Sequence, residues 1–186
     1  MRFIKFLIEY AKSPRTVGAI APSSENLAHK MVEDVDFFNA SCIVEYGPGT
    51  GVFTEKILNK KKDSTIFIAI EYNRDFCDIL NDKFKVEKNF ILINGSAENL
   101  KEYLNKYNID KVDYIVSGLP FASLPHAMSN KILKVTKEIL KGEGEFISFQ
   151  YTLFKMKVFN SYFSKIKRKK VLLNLPPAYV LKCKNS

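Results

Sequence analysis

The sequence lacks the marks of a membrane-spanning, secreted or repeat protein. No apolar run approaches the ~20 residues that cross a bilayer, and no apolar core followed by small residues indicates a signal peptide. The three cysteines, Cys42, Cys77 and Cys183, are widely spaced and odd in number, so they fit neither a disulfide framework nor a zinc site. We expect buried, reduced thiols in a cytoplasmic protein.

The composition is that of one folded domain. A chain of 186 residues suits a single α/β domain, and 46% hydrophobic residues against 26% charged ones leave enough apolar surface for a packed core. The formal net charge of +9 attracts polyanions, which include nucleic acid and anionic membranes. Charge alone leaves that choice open, and a general role in solubility is open as well.

The N-terminal segment has its own pattern. Residues 2–12 place Phe3, Phe6, Leu7 and Tyr10 at helical spacing, with basic residues on the opposite stripe, which predicts an amphipathic helix. Such a helix suits the plane of an anionic membrane, or it packs on its own domain. We therefore divide the chain into residues 1–22, a helix followed by a loop, and residues 23–186, one domain.

The rest of the chain alternates between two patterns. Apolar runs, each followed by a helical pattern, predict buried parallel strands with helices on both faces of the sheet. These runs lie at residues 42–46, 65–70, 90–93, 112–117 and 145–151. Two further runs, 171–175 and 178–183, are joined by two prolines and predict an antiparallel hairpin. The expected fold is a Rossmann-like, mostly parallel sheet of seven strands that ends in an antiparallel strand.

A glycine-rich loop follows the first predicted strand. Residues 47–51 read Gly-Pro-Gly-Thr-Gly and open a helix, which allows close approach to a ligand or marks an ordinary tight turn. Glu45 just before it would repel a dinucleotide pyrophosphate but suits an ammonium group. Thr54 stands where dinucleotide motifs place their third glycine. Glu71 ends the second strand, where an acid can accept hydrogen bonds from ribose hydroxyls.

With these residues, the chain resembles the class I methyltransferases across essentially its whole length. The resemblance implies S-adenosylmethionine as cofactor, S-adenosylhomocysteine as product and no metal, with residues 1–22 covering the cofactor. Tyr72 is expected along the adenine, and Ser96, where many relatives carry aspartate, or nearby backbone is expected at adenine N6. The implied cofactor residues are Glu45, Gly47, Pro48, Gly49, Thr50, Gly51, Glu71, Tyr72, Ser96, Ala97, Glu98, Ser117 and Gly118.

The loop after the fourth strand belongs, by the same resemblance, to the acceptor. Ser117-Gly118-Leu119-Pro120-Phe121 resembles the Asn-Leu-Pro-Tyr motif of rRNA adenine dimethylases, with Gly118 at the asparagine position and Phe121 at the tyrosine position. Glycine cannot accept a hydrogen bond from the adenine amino group as that asparagine would. We also expect no counterpart of the helical C-terminal domain that grips RNA in those enzymes.

A second family resembles the chain more closely, the bacterial phospholipid N-methyltransferases, which methylate phosphatidylethanolamine. The similar blocks are residues 15–24, 44–54, 117–120, 149–151 and 174–178. This resemblance implies a cytoplasmic enzyme at the inner face of the membrane, with phospholipid as partner, nucleic acid as the less favoured partner and no obligate protein partner.

Acceptor-side roles follow as hypotheses. Arg15 is assigned to the lipid phosphate, Tyr151 to headgroup orientation, and the ring of Phe121 to the headgroup cation. Ser117, Leu119 and Pro120 complete the expected catalytic loop. Aromatic and basic residues between 151 and 170 form a second lipid contact or a solvated basic helix with one buried face.

Three functions remain open at this point. The first is a peripheral-membrane phospholipid N-methyltransferase. The second is an RNA or DNA adenine N6-methyltransferase. The third is a cofactor-binding protein that docks on membranes without catalysis.

Overall fold

A computed structural model describes residues 23–140, 142, 144–153, 156–174 and 176–185. The predicted N-terminal helix and covering loop, and with them Arg15, lie outside the described residues. The boundary drawn at residue 22 stays a prediction.

A seven-stranded sheet forms the centre of the molecule, in the order β3-β2-β1-β4-β5-β7-β6. The first five strands are parallel, whereas β7 runs antiparallel to both β5 and β6. This confirms the expected fold class. The strands are β1 (Cys42–Tyr46), β2 (Ile66–Glu71), β3 (Phe90–Asn94), β4 (Tyr114–Ser117), β5 (Glu145–Gln150), β6 (Lys165–Val171) and β7 (Ala178–Lys184).

Helices connect the strands and cover the sheet. The described helices are α1 (Ser23–Val32), α2 (Val52–Leu58), α3 (Arg74–Phe84), α4 (Leu100–Lys106), α5 (His126–Ile139) and α6 (Met156–Tyr162), with a 3₁₀ turn at Ala97–Asn99. A helix is expected where an apolar stripe follows a residue whose side chain can cap the first turn. In α3, for example, the Asn73 side chain caps the backbone N–H groups of Asp75 and Phe76, and the helix buries Cys77, Leu80 and Phe84.

The two faces of the sheet carry separate cores. On one face α1, α2 and α3 bury residues such as Met31, Ile57 and Leu80. On the other face α4, α5 and α6 bury Leu100, Leu133 and Phe159 among others. Because both faces are covered, the carboxyl ends of the parallel strands form the open edge where loops can hold a ligand.

The state of the cysteines and the lengths of the helices bear on two expectations from the sequence. Cys42, Cys77 and Cys183 are buried and unpaired, as expected. No helix in the described ranges is both long enough and apolar enough to cross a membrane.

The C-terminal hairpin differs from its prediction. The strand predicted at residues 171–175 is wrong, because β6 is Lys165–Val171 and Leu172 and Leu173 lie in the turn. The alternative of a basic helix reaching residue 170 is also wrong, because α6 ends at Tyr162. An edge strand pairs on one side only, so β6 accommodates five basic residues that the search for apolar runs passed over.

Candidate active site

The loops after β1, β2, β3 and β4 meet at the carboxyl edge of the sheet. Backbone hydrogen bonds join them: Gly47 N–H donates to Ile70 O at 2.9 Å and Gly95 N–H to Glu71 O at 2.9 Å. Gly118 N–H donates to Tyr46 O at 2.8 Å. The residues predicted for the cofactor and for the acceptor loop are thus brought to one place, except Arg15.

The glycine-rich loop presents bare backbone at this edge. Gly49 has a φ of 56°, and a Cβ built on it would meet no atom within 4 Å. Glycine is therefore required there by backbone conformation, and the space beside it is open to a ligand. Pro48 O closes the turn by accepting from Gly51 N–H at 2.9 Å, and Thr50 is exposed beside it.

Glu45 is fully buried, and only one of its two carboxylate oxygens is hydrogen-bonded to a described residue. Its Oε2 accepts a hydrogen bond from Thr54 Oγ1 at 2.7 Å, whereas Oε1 is buried without a partner among the described residues. Burial raises the pKa of Glu45 to about 8, with a smaller rise from the charge of Glu71 and an opposing effect of Thr54. An orphaned carboxylate oxygen of this kind suits a cationic group such as the methionine ammonium.

Thr54 has a role in the site that its place in the glycine motif did not predict. It stands at the third-glycine position, and its side chain fixes one oxygen of Glu45 so that the other is left free. The signal was present in the sequence as a hydroxyl residue nine positions after the acid, but the spacing alone carries no function.

Glu71 is nearly buried and is oriented by two backbone groups. Its Oε2 accepts from Gly49 N–H at 3.0 Å, and its Oε1 accepts from Asn73 N–H at 2.8 Å. Each carboxylate oxygen keeps a second lone pair for a further donor, which matches the two hydroxyls of a ribose. Burial raises the pKa of Glu71, although the backbone hydrogen bonds oppose that rise.

The predicted adenine residues flank this acid. Tyr72 is 58% exposed, so its ring is free to lie against a planar group. Ala97 is buried in the 3₁₀ turn. Ser96 Oγ caps that turn, accepting from Glu98 N–H at 3.3 Å and donating to Glu98 Oε2 at 3.2 Å. Because the hydroxyl is already engaged locally, this arrangement favours backbone groups at adenine N6 over Ser96.

The acceptor loop packs directly on the glycine-rich loop. A Cβ built on Gly118 would lie 2.5 Å from Gly47 O, closer than real Cβ atoms come to backbone. Leu119 covers Gly47 in turn, since a Cβ there would lie 2.7 Å from Leu119 Cδ2. Ser117 is fully buried, and its Oγ accepts from Leu119 N–H at 3.2 Å. The loops interlock so tightly that position 118 has no space for a side chain.

Phe121 does not occupy the position expected of it. Its ring is 1% exposed and makes edge contacts with Phe146 and Phe159, at centroid distances of 6.1 Å and 5.4 Å. The interpretation of Phe121 as a ring facing a headgroup cation therefore does not fit this geometry, because the core already surrounds it. Pro120 begins the turn that carries Phe121 inward, its O accepting from Ser123 N–H at 2.8 Å.

Tyr151 follows β5 directly and so lies at the same edge as the acceptor loop. Its ring stands edge-on to Phe149, with 5.4 Å between centroids. Its proposed contact with a headgroup stays a prediction. Within the described ranges, no group of three or more His, Cys, Asp or Glu side chains is placed to hold a metal ion.

The parallel sheet with its antiparallel last strand and the two strand-end acids define the chain as an S-adenosylmethionine-dependent methyltransferase of the class I, Rossmann-like type. A solved structure with this fold is the N-methyltransferase NodS from Bradyrhizobium japonicum WM9 in complex with S-adenosylhomocysteine. It has a TM-score of 0.71 and 12% sequence identity, over 93% of this chain and 92% of that one.

The particular family follows from a sequence match. The family model described as ribosomal RNA adenine dimethylase matches residues 22–178, and the chain belongs to that family.

Two similar proteins differ in the kind of acceptor that their names state. The chain is 28% identical to an ornithine lipid N-methyltransferase of Singulisphaera acidiphila, over 98% of this chain and 95% of the relative. It is 35% identical to the ribosomal RNA small subunit methyltransferase A of Borreliella burgdorferi, over 59% of this chain and 35% of that enzyme. The lipid enzyme matches nearly end to end, whereas the RNA enzyme matches over about a third of its length.

Proposed function

We propose that this protein transfers methyl groups from S-adenosylmethionine to the amine of a phosphatidylethanolamine-type phospholipid, at the inner face of the membrane. The observation that carries the proposal is the lack of space for any side chain at Gly118, where the RNA enzymes' motif has asparagine. The near full-length similarity to an ornithine lipid N-methyltransferase supports an amine on a lipid as acceptor.

Position 118 matters because it separates the two acceptor chemistries. The Asn-Leu-Pro-Tyr motif uses its asparagine to hold the adenine amino group. Here a Cβ at that position would lie 2.5 Å from Gly47 O, so the loop is built around the absence of a side chain. An alkyl amine carries its own lone pair once deprotonated and does not need an amide to orient a ring.

The mechanism proposed on the cofactor side depends on the two strand-end acids and on the acceptor loop. Glu45 is proposed to receive the ammonium on its free Oε1, and Glu71 the ribose hydroxyls. S-adenosylmethionine, when bound, supplies an electrophilic methyl group on a sulfonium. The chain contributes alignment and exclusion of water: Leu119 packs over Gly47, and the buried Ser117 hydroxyl holds Leu119 N–H.

The acceptor side is proposed in outline. An ethanolamine ammonium must lose a proton before it can attack, and Tyr151 at the end of β5 is proposed to orient the headgroup for that step. Arg15 is proposed to pair with the lipid phosphate, because a guanidinium matches phosphate oxygens. An Arg15→Ala variant should then show a raised apparent KM for vesicle-borne lipid and unchanged binding of S-adenosylhomocysteine.

The test is methyl transfer from radiolabelled S-adenosylmethionine to three acceptors offered side by side. These are anionic vesicles with phosphatidylethanolamine, the same vesicles with ornithine lipid, and unmodified rRNA. Label in phosphatidylethanolamine, lost in Glu71→Ala but retained in the exposed-site control Glu55→Ala, is the expected result. Label in ornithine lipid alone would mean that the acceptor is ornithine lipid and not phosphatidylethanolamine. Label in RNA alone would overturn the proposal.

A second candidate is methylation of an adenine in RNA. It is favoured by the family match over residues 22–178 and by the net charge of +9, which suits a polyanion. Under this alternative, Ser117 or backbone groups would have to replace the missing asparagine. The RNA arm of the same experiment tests it.

A further inference from the structure

The positive charge of this chain is concentrated in its last part. Residues 146–186 contain nine Lys and Arg and no Asp or Glu, whereas residues 1–145 contain 20 basic and 20 acidic residues. The formal net charge of +9 therefore comes entirely from the segment that follows β5. Much of that segment folds as the hairpin of β6 and β7 at one side of the sheet.

Most basic side chains of the hairpin are free to meet an external anion. Lys169 bonds Glu33 and Asp34, each at 2.8 Å, and Lys182 pairs with Asp34. These are the ion pairs the hairpin makes with described residues. Four exposed residues of β6 form none within the described part of the chain: Lys165, Lys167, Arg168 and Lys170.

An apolar tip adjoins this basic strand. Leu172 and Leu173, in the turn after β6, are 68% and 76% exposed. Among the described residues they are the only two consecutive large apolar side chains so exposed. The turn that holds them outward is closed by Asn174, which is 3% exposed and donates from Nδ2 to Pro176 O at 2.7 Å.

The tip lies at the same edge of the sheet as the candidate active site. Val171 pairs with Ala178, and Tyr179 pairs with Gln150, the last residue of β5. Because β5 runs parallel to β4, the turn projects past the level at which Ser117 begins the acceptor loop. A surface that received Leu172 and Leu173 would therefore also face the cofactor cleft.

We propose that this docking tip, defined as Leu172 and Leu173 with the adjacent Arg168 and Lys170, inserts into the interface of an anionic phospholipid leaflet. The leucines enter the acyl boundary while the cations bind lipid phosphates. Exposed leucines favour a lipid surface over RNA, which is held through phosphates and stacked bases rather than aliphatic side chains. The inference rests on the proposed function, because it brings the cleft to a lipid amine.

The first experiment compares matched pairs of variants of the full chain by sedimentation with phosphatidylglycerol–phosphatidylethanolamine vesicles. Leu172→Ser with Leu173→Ser should weaken partitioning by about tenfold, the loss expected for two partly buried leucines. Phe38→Ser with Val86→Ser, exposed apolar residues at the opposite edge, should leave it unchanged. Equal binding by the wild type and the leucine variant, or no vesicle binding by the wild type, would overturn the docking tip.

The second comparison addresses charge. Arg168→Gln with Lys170→Gln should lower binding by about 30-fold, since each cation near the surface contributes ~1 kcal/mol, and this loss should shrink in high salt. Lys85→Gln with Lys101→Gln removes the same charge from two exposed sites, the C-cap of α3 and the first turn of α4, and is the control. If both pairs weaken binding equally, net charge rather than this site is responsible and the tip is rejected.

A methyl-transfer assay distinguishes a failure of the docking tip from a failure of the proposed lipid acceptor. With a short-chain phosphatidylethanolamine in monomeric solution, the leucine variant should match the wild type, while its transfer to vesicle lipid falls. If the wild type methylates neither form but the leucine variant still loses vesicle binding, the docking tip stands and the lipid acceptor fails. If the leucine variant instead loses RNA binding and keeps vesicle binding, the tip is a nucleic-acid contact and the inference is overturned.

Discussion

Glu45 and Glu71 are both buried carboxylates at neighbouring strand ends, but their hydrogen bonding differs. Glu71 accepts one backbone N–H on each oxygen, whereas Glu45 has one oxygen bonded to Thr54 and one without a partner. The first arrangement orients two acceptors for a diol, and the second leaves a site for a cation. The two acids therefore make separable predictions.

Replacing Glu71 by Gln should weaken S-adenosylhomocysteine binding by about 10–100-fold. An amide presents one acceptor instead of two, and its NH₂ group opposes the N–H of Gly49 or of Asn73. Isothermal titration calorimetry measures the change. Glu55→Gln, an exposed substitution of the same charge on α2, is the matched control, and equal affinities for the two variants would contradict this role.

Glu45 should make the stability of the ligand-free protein fall as pH rises. Its pKa is about 8 in the folded protein against 4.5 when exposed, so the folded state binds more protons between these values. The stabilisation is present below pH 4.5 and is lost as pH rises through 8, with a slope approaching ~1.4 kcal/mol per pH unit. Denaturant unfolding of Glu45→Gln should lack this component, and parallel curves for variant and wild type would disprove it.

At the scale of elements, the central observation is that two loops interlock. Gly118→Asn should force the acceptor loop away from Gly47 O and cost ~1–3 kcal/mol in the free energy of unfolding, as overpacking does. It should also weaken cofactor binding and confer no methylation of RNA. Ala122→Asn, exposed in the same loop, is the control. A stable Gly118→Asn variant that methylates rRNA would reverse the assignment of this position.

The sequence predicted some elements well for a physical reason. The central strands β1, β2, β4 and β5 are buried on both faces and read as continuous apolar runs. The half-buried edge strand β3 keeps such a run as well, so all five were found within a residue or two. The edge strand β6 buries few side chains, and its basic residues interrupt any apolar run that would have predicted a strand. The exposed leucines of the following turn supplied an apolar run where no strand forms. When an edge strand is as polar as β6, its identity depends on pairing partners far along the chain and not on its own apolar pattern.

The site divides in the same way. The places of the acids and glycines at residues 45–51 and 71 were predictable because strand ends and spacing fix them locally, while their roles toward the cofactor stay predictions. The bond from Thr54 to Glu45, the burial of Phe121 and the lack of space at Gly118 depend on distances between separate loops. Sequence spacing does not contain those distances.

At the scale of the whole molecule, the basic strand β6 and the docking tip that follows it lie on the side of the molecule where the candidate active site opens. This arrangement predicts one preferred orientation on a membrane. A polarity-sensitive dye on Leu173→Cys should shift to the blue when anionic vesicles are added, and the same dye on Val86→Cys at the opposite edge should not. Labelling is selective because the three native cysteines are buried. Equal shifts at both positions would indicate adsorption without a preferred face.

The lysines of β6 have a further consequence for the protein in bulk solution. Among the described residues no strand pairs with the outer side of β6, so this sheet edge could otherwise pair with the same edge of another copy. Four of its five basic residues form no ion pair with described residues, and their like charges oppose that association through mutual repulsion. Neutralising β6 should therefore show first as precipitation of folded protein at high concentration, before any loss of the fold itself.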